Sequence, residues 1–126
     1  MKFKTLLFGL GRIASTLEKD LLRYHPCTHA GVLFSRFGKK HFDLTAIYDT
    51  DEDAISDFNK QWKLKTDTVK STLADIKKEK FDLAVIASSS EAHFENAKLA
   101  ISLGIKNLLI EKPVCMNTKQ LNAFVS

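Results

Sequence analysis

The stretch Leu6-Leu7-Phe8-Gly9-Leu10-Gly11-Arg12-Ile13-Ala14-Ser15 constrains this chain more than any other. An apolar run starting almost at the N-terminus is broken by two glycines and an alanine. Such a run reads as a strand buried on both faces, which belongs in a parallel sheet covered by helices. Glycines at its end mean a turn tighter than an L side chain accepts, or a backbone that something approaches closely.

The rest of the chain repeats the theme. Residues 43–49 (DLTAIYD), 82–88 (DLAVIAS) and 105–113 (IKNLLIEKP) form further apolar strands, with a short one at 65–69 (KTDTV). Helical spacing covers 51–62, where acidic residues crowd the first turn and favour the dipole. Further helices are predicted from Ser71 to Lys80, from Ser90 to a stop at Gly104, and from a cap at Asn117 or Thr118 onward. Between 15 and 42 the pattern is weaker. STLEKDLLRY reads as a helix broken at Pro26, and HAGVLFSRFG as a second one ending at Gly38. Strand–helix alternation predicts one α/β domain over 1–126. Its doubly wound parallel Rossmann sheet has about five strands in the order 3-2-1-4-5, with helices on both faces.

Composition narrows the function classes. Of 126 residues, 44% are hydrophobic and 27% charged, as in soluble globular proteins. No apolar run approaches the roughly 18 residues of a membrane span. Arg12 interrupts the signal-peptide-like start too early, so a cytoplasmic protein is expected. The net charge of +4 is mild and its lysines are scattered, which argues against a nucleic-acid surface. Cys27 and Cys115 form no framework, and His25, His29, His41 and His93 show no metal-ligand spacing, so no metal is predicted.

Gly9-Leu10-Gly11-Arg12-Ile13-Ala14 is a G-x-G-x-x-A motif between a strand and a helix. Gly9 permits the turn, Gly11 lets a pyrophosphate meet the backbone, and Ala14 lets the helix pack closely on the sheet. Amide groups at the helix start then hold the phosphates. The plain alternative is an ordinary strand-to-helix turn. Asp49, ending the second strand, suits the adenosine ribose hydroxyls and repels a 2′-phosphate, favouring NAD over NADP; equally, it could cap the next helix. Thirty-eight residues separate Gly11 from Asp49, against roughly 20 in the usual fingerprint, so something has been inserted.

Ser88, Ser89 and Ser90 end a strand at the carboxyl edge of the sheet, where ligands bind in such folds. They can meet a cofactor or cap the next helix, whose first turn carries His93. Glu111 and Lys112 follow the last strand, and Pro113 keeps Lys112 extended. An acid and a base are thus held at the ligand edge, or form a surface ion pair there.

Together, GLGRIA, AIYDTDEDA, VIASSSEAH and LLIEKPV resemble the N-terminal domain of the Gfo/Idh/MocA oxidoreductases (glucose–fructose oxidoreductase, inositol dehydrogenase and relatives). The resemblance spans essentially the whole chain, and EKP is its most specific element. It implies that Gly9, Gly11, Arg12 and Ile13 bind the pyrophosphate and Asp49 the adenine ribose. Ser88–Ser90 and His93 would line the nicotinamide side, although three serines replace the family's Thr-Pro-Asn. Glu111 and Lys112 would reach the nicotinamide ribose and substrate, with Lys112 catalytic, across a Lys112–Pro113 bond that is cis in relatives. His29 would be the family's first-helix histidine, displaced by about a dozen inserted residues, Thr16 to Thr28; a longer first helix with a plain loop fits almost as well.

The same resemblance implies a second, substrate-binding domain absent from this sequence, which would also carry the homo-oligomer interface. The chain is then the coenzyme part of an enzyme moving hydride between nicotinamide and a sugar, cyclitol or sugar-nucleotide hydroxyl or carbonyl, inactive alone. Two rivals are a non-catalytic dinucleotide-binding sensor and a domain for another nucleotide such as coenzyme A; Glu111-Lys112-Pro113 speaks against the first and Asp49 against the second.

Overall fold

A computed structural model describes residues 1–65 and 68–125. Four parallel strands, β1 (Phe3–Phe8), β2 (Phe42–Tyr48), β3 (Leu83–Ile86) and β4 (Leu108–Ile110), pair in the order β2-β1-β3-β4. Alternation along β1 divides the core. Leu6 and Phe8 face one layer with Ala84, Ile86, Ala97 and Ile105. Leu7 faces the other with Ala14, Ala30, Leu33, Ile47 and Phe58. The sheet is therefore covered on both sides, as the apolar strands require.

The helices are α1 (His29–Phe34), α2 (Gly38–His41), α3 (Glu52–Gln61), α4 (Leu73–Ile76), α5 (His93–Ser102) and α6 (Thr118–Val125). Asp51 caps α3 through the Asp53 N–H. The Asn117 side chain accepts from the Gln120 N–H, settling the cap of α6. Gly104 follows α5 at φ +81°, a left-handed conformation that glycine adopts without penalty.

Several expectations need correction, among them the helix expected to end at Gly38, which stops at Phe34 while Gly38 opens α2. The strand expected at 65–69 falls partly on Thr66 and Asp67, which lie outside the described residues; among the described residues the pairing beyond β2 is a single parallel bridge between Ala46 and Lys70. That bridge sits beside the place of the expected third strand, and among the described residues the sheet has four strands in the order β2-β1-β3-β4. The predicted helix at 71–80 is one turn, because bonds from Lys78 to Asp75 and from Glu79 to Ile76 tighten the chain before buried Phe81 enters the core. β4 is a half-buried edge strand with Leu109 52% exposed, not the fully buried one expected.

The weakly patterned region contains an excursion within a helix. Ser15 N–H donates to the Gly11 carbonyl, which starts a helical turn. The Ile13 and Ala14 carbonyls then accept from His29 and Ala30 at 3.1 and 2.8 Å. In an unbroken helix residues 17 and 18 would be their donors. The chain thus leaves the helix after Ser15 and rejoins it at His29, a dozen positions late, which removes most of the excess between Gly11 and Asp49. Within the excursion a short 3-10 turn, Thr16–Lys19, replaces the helix predicted from Ser15 to Tyr24.

Both ends of the break are braced. The Ser15 carbonyl accepts from Gln61 Nε2, and its hydroxyl, buried, donates to Gln61 Oε1 and accepts from Trp62 Nε1. Glu18 Oε1 accepts from the Cys27 N–H, the Thr28 N–H and the Thr28 hydroxyl at 2.8–3.0 Å, closing the neck of the excursion at the start of α1. Burial pushes the Glu18 carboxyl upward, but those three donors and nearby His25 outweigh it and hold it below the ordinary carboxylate value.

Glu18→Ala is therefore expected to cost about 1–3 kcal/mol, read as a lower urea midpoint. A methyl on Gly31 would strike the same carboxylate. Gly31→Ala should accordingly destabilise the wild type but cost little once Glu18 is alanine, a non-additivity that a double-mutant cycle measures. A lowered carboxyl stabilises fully above its unfolded pKa, and that contribution disappears as pH falls through the folded one. Midpoints of the wild type and Glu18→Ala should converge on acidification.

Candidate coenzyme site

The ends of β1, β2 and β3 open onto one cleft of about 510 Å³ at the carboxyl edge of the sheet. One wall is the glycine turn, Gly9 to Ile13. Opposite it stand Tyr48, Asp49 and Thr50 after β2, and Ala87, Ser88 and Ser89 after β3.

The two glycines have different reasons to be there. Gly9 has φ +87°, and a β-carbon on it would overlap the Ser88 and Ala87 backbone. It is required by the fold. A β-carbon on Gly11 would meet nothing within 4 Å, because Gly11 faces the cleft. Packing within the protein does not require a glycine there, and the position opens onto the cleft. Among the described residues none accepts a hydrogen bond from the Gly11, Arg12 or Ile13 N–H. Amides at the start of a helical turn, with the Arg12 side chain beside them, form a cradle for an anion.

Asp49 joins the two walls. Its Oδ2 accepts from the Leu10 N–H at 3.0 Å and its Oδ1 from the Asp51 N–H at 2.9 Å. It therefore turns the chain toward α3, whose cap is Asp51 and not Asp49 as the capping alternative held, and pins the glycine turn as well. Each carboxylate oxygen keeps a lone pair for a hydroxyl donor in the cleft. These features fit an adenosine diphosphate moiety: an uncluttered backbone for phosphates and a fixed acceptor for a ribose.

Other predicted site residues lie elsewhere. Ser90 opens the 3-10 turn preceding α5. His93 is 1% exposed, with Nδ1 2.6 Å from the Pro113 carbonyl and Nε2 2.9 Å from the Ser88 carbonyl. It does not line the cleft; it ties the end of β3 to the turn after β4. Glu111 donates its N–H to the Ile86 carbonyl, while its Oε1 lies 2.7 Å from His29 Nε2. The structure thus joins the start of α1 to the EKP turn, whose Lys112–Pro113 bond is cis and whose Lys112 is exposed.

Asn96, on α5, also lines the cleft, and its side-chain amide donates to Ser88 Oγ at 2.8 Å. Sequence reasoning passed over it. Its one signal was position, a polar residue one helical turn after Ala92 and facing the strand end.

A family model described as an oxidoreductase family with an NAD-binding Rossmann fold matches residues 3–126. A search of curated protein sequences gives no match. Among solved structures the fold is similar to the WlbA dehydrogenase of Bordetella pertussis in complex with NADH and UDP-GlcNAcA, at a TM-score of 0.71 and 21% identity, covering 99% of this chain and 33% of that one. UDP-N-acetylglucosamine 3-dehydrogenase GnnA of Acidithiobacillus ferrooxidans gives 0.68 and 18%, over 99% and 34%. For scyllo-inositol dehydrogenase of Lactobacillus casei, bound to NAD(H) and scyllo-inositol, the values are 0.66 and 20%, over 98% and 32%. The chain spans about a third of each. With a model of that family matched along 3–126, this chain belongs to the Gfo/Idh/MocA oxidoreductases as their NAD-binding Rossmann fold.

Proposed function

We propose that the cleft holds NAD with its diphosphate over Gly9, Gly11, Arg12 and Ile13, and its adenosine ribose on Asp49. The nicotinamide end then points along Ser88, Ser89 and Ser90 toward Glu111 and Lys112. The observation carrying this reading is the open space before Gly11, facing a carboxylate already fixed by two amides. When bound, NAD accepts or donates a hydride. The residues of this chain bind and orient it.

The substrate class is a hydroxyl or carbonyl on a sugar, cyclitol or sugar nucleotide, supported by what the structurally similar dehydrogenases carry. Lys112 is the group we assign to proton transfer at that hydroxyl, and the Glu111–His29 contact fixes the turn from which it projects. The chain covers 34% of GnnA, so the reading accounts for the coenzyme-binding part of such an enzyme. Alone it is expected to bind coenzyme without turnover.

Titration with NADH, followed by fluorescence, tests the reading. Gly11→Val should leave the urea midpoint within about 0.5 kcal/mol of the wild type, because the side chain meets only open space, yet weaken NADH at least tenfold. Unchanged affinity would overturn the placement of the diphosphate. Gly9→Ala should instead lower stability by about 1–3 kcal/mol, through its positive φ and the overlap with Ser88.

Asp49→Asn keeps an acceptor for the Leu10 N–H and removes the charge. NADPH should then gain on NADH by about tenfold, measured as the ratio of dissociation constants. In a longer protein carrying this segment, Lys112→Ala should lower kcat and leave NADH binding unchanged; a sensor would keep its full response.

A further inference from the structure

The neck of the helix excursion gathers three metal-ligating side chains that play no part in the coenzyme cleft. Glu18, His25 and Cys27 each present a ligand atom, and all three atoms lie within 4.8 Å of one another. Glu18 stands on the outgoing arm, and His25 and Cys27 on the returning one.

The two oxygens of Glu18 are differently engaged. Oε1 is saturated by the Cys27 N–H, the Thr28 N–H and the Thr28 hydroxyl. Those bonds orient the carboxylate so that Oε2 faces His25 Nε2 at 3.8 Å. The Cys27 thiol is engaged only weakly, donating to the Leu17 carbonyl at 3.4 Å. One thiol sulfur, one imidazole nitrogen and one carboxylate oxygen thus converge, backed by hydrogen bonds to the one fixed member. Such backing is what orients a metal ligand.

We propose that Glu18 Oε2, His25 Nε2 and Cys27 Sγ form a zinc site that clamps the neck of the excursion. Mixed sulfur, nitrogen and oxygen donors select a borderline-soft divalent cation, and three protein ligands leave the fourth tetrahedral position for water. Ligand atoms around tetrahedral zinc stand roughly 3.3–3.6 Å apart. The three ligand atoms, all within 4.8 Å of one another, have at most about 1.5 Å to close. As the sulfur–zinc bond forms, the thiol proton leaves to solvent.

The clamp has an evident object. Residues between the ligands include Leu21, Leu22 and Tyr24, which are 89%, 97% and 91% exposed. An apolar tip on a dozen-residue excursion is costly to hold in one place, and a metal at its neck shortens the free loop from both sides. The sequence conceals this site, since a Glu seven residues before His25 matches no usual ligand spacing.

The test uses the full chain, stripped with chelator and titrated with Zn²⁺ alone by calorimetry, then with Co²⁺ as a spectroscopic stand-in. One Zn²⁺ per chain is expected. The Co²⁺ form should show a near-ultraviolet thiolate-to-metal band and the visible bands of a four-coordinate ion. Cys27→Ser should abolish the near-ultraviolet band, and His25→Ala should weaken Zn²⁺ at least tenfold. Cys115→Ser should change neither. Zn²⁺ should also slow amide exchange over 20–25 in the wild type. A Co²⁺ spectrum without thiolate character, no stoichiometric Zn²⁺ uptake, or uptake undiminished in His25→Ala with Cys27→Ser would overturn the proposal. NADH titration of the metal-free and Zn²⁺-loaded chain keeps it separate from the coenzyme reading, because neither His25 nor Cys27 lines the cleft.

Discussion

Everything at the carboxyl edge depends on how closely Gly9 lies against the end of β3. The turn after β1 touches the Ala87 and Ser88 backbone with no side chain between. Gly9 also donates its N–H to the Tyr48 carbonyl at 2.8 Å, and the Ala87 N–H reaches the Phe8 carbonyl at 2.8 Å. Three strand ends are thereby locked together, and Leu10 is delivered to Asp49. A single methyl at this point would separate the walls of the cleft. The site is therefore a consequence of main-chain packing before any polar side chain acts.

The far end of the cleft is organised differently. There the scaffold is side-chain hydrogen bonding between elements distant in sequence. His93 bridges the Ser88 and Pro113 carbonyls, and His29 meets Glu111. Neither imidazole lines the cleft, yet together they fix the EKP turn relative to β3 and α1. A histidine in the first turn of a helix at a ligand edge invites a catalytic reading. Its burial and its two carbonyl neighbours make His93 a strut, and a positioning role is what such a geometry supports.

The parts legible in the sequence were those governed by local rules. Apolar runs gave β1, β2 and β3, because burial on both faces leaves a continuous hydrophobic signal. Gly104 and Asn117 marked helix ends through their own backbone and side-chain chemistry. The glycine turn was legible because its internal spacing follows from a fixed fold, and Asp49 because it ends the second apolar strand, despite the excess of chain between them. What was not legible depends on distant partners. Nothing near Leu73 announces that its helix stops after one turn, since Phe81 must reach the core. Asn96 faces the cleft because of Ser88, eight residues away. The sequence showed an insertion by counting, but not that Ile13 and Ala14 find their helical partners across it.

That last feature explains how a turn of this kind tolerates so much added chain. An excursion adds loop-closure entropy slowly with length, provided that its two ends meet where they would have met anyway. Here they do: the helical hydrogen bonds resume in register, so Ala14 and Ala30 pack side by side under the sheet as neighbours on one helix would. The orphaned groups at the break are taken up by Gln61 and Trp62 on one side and Glu18 on the other. The glycine turn upstream and the Glu111 partner downstream therefore keep the positions that an unbroken helix would give them. The added segment leaves and rejoins the helix between Ser15 and His29, and none of its residues lines the cleft.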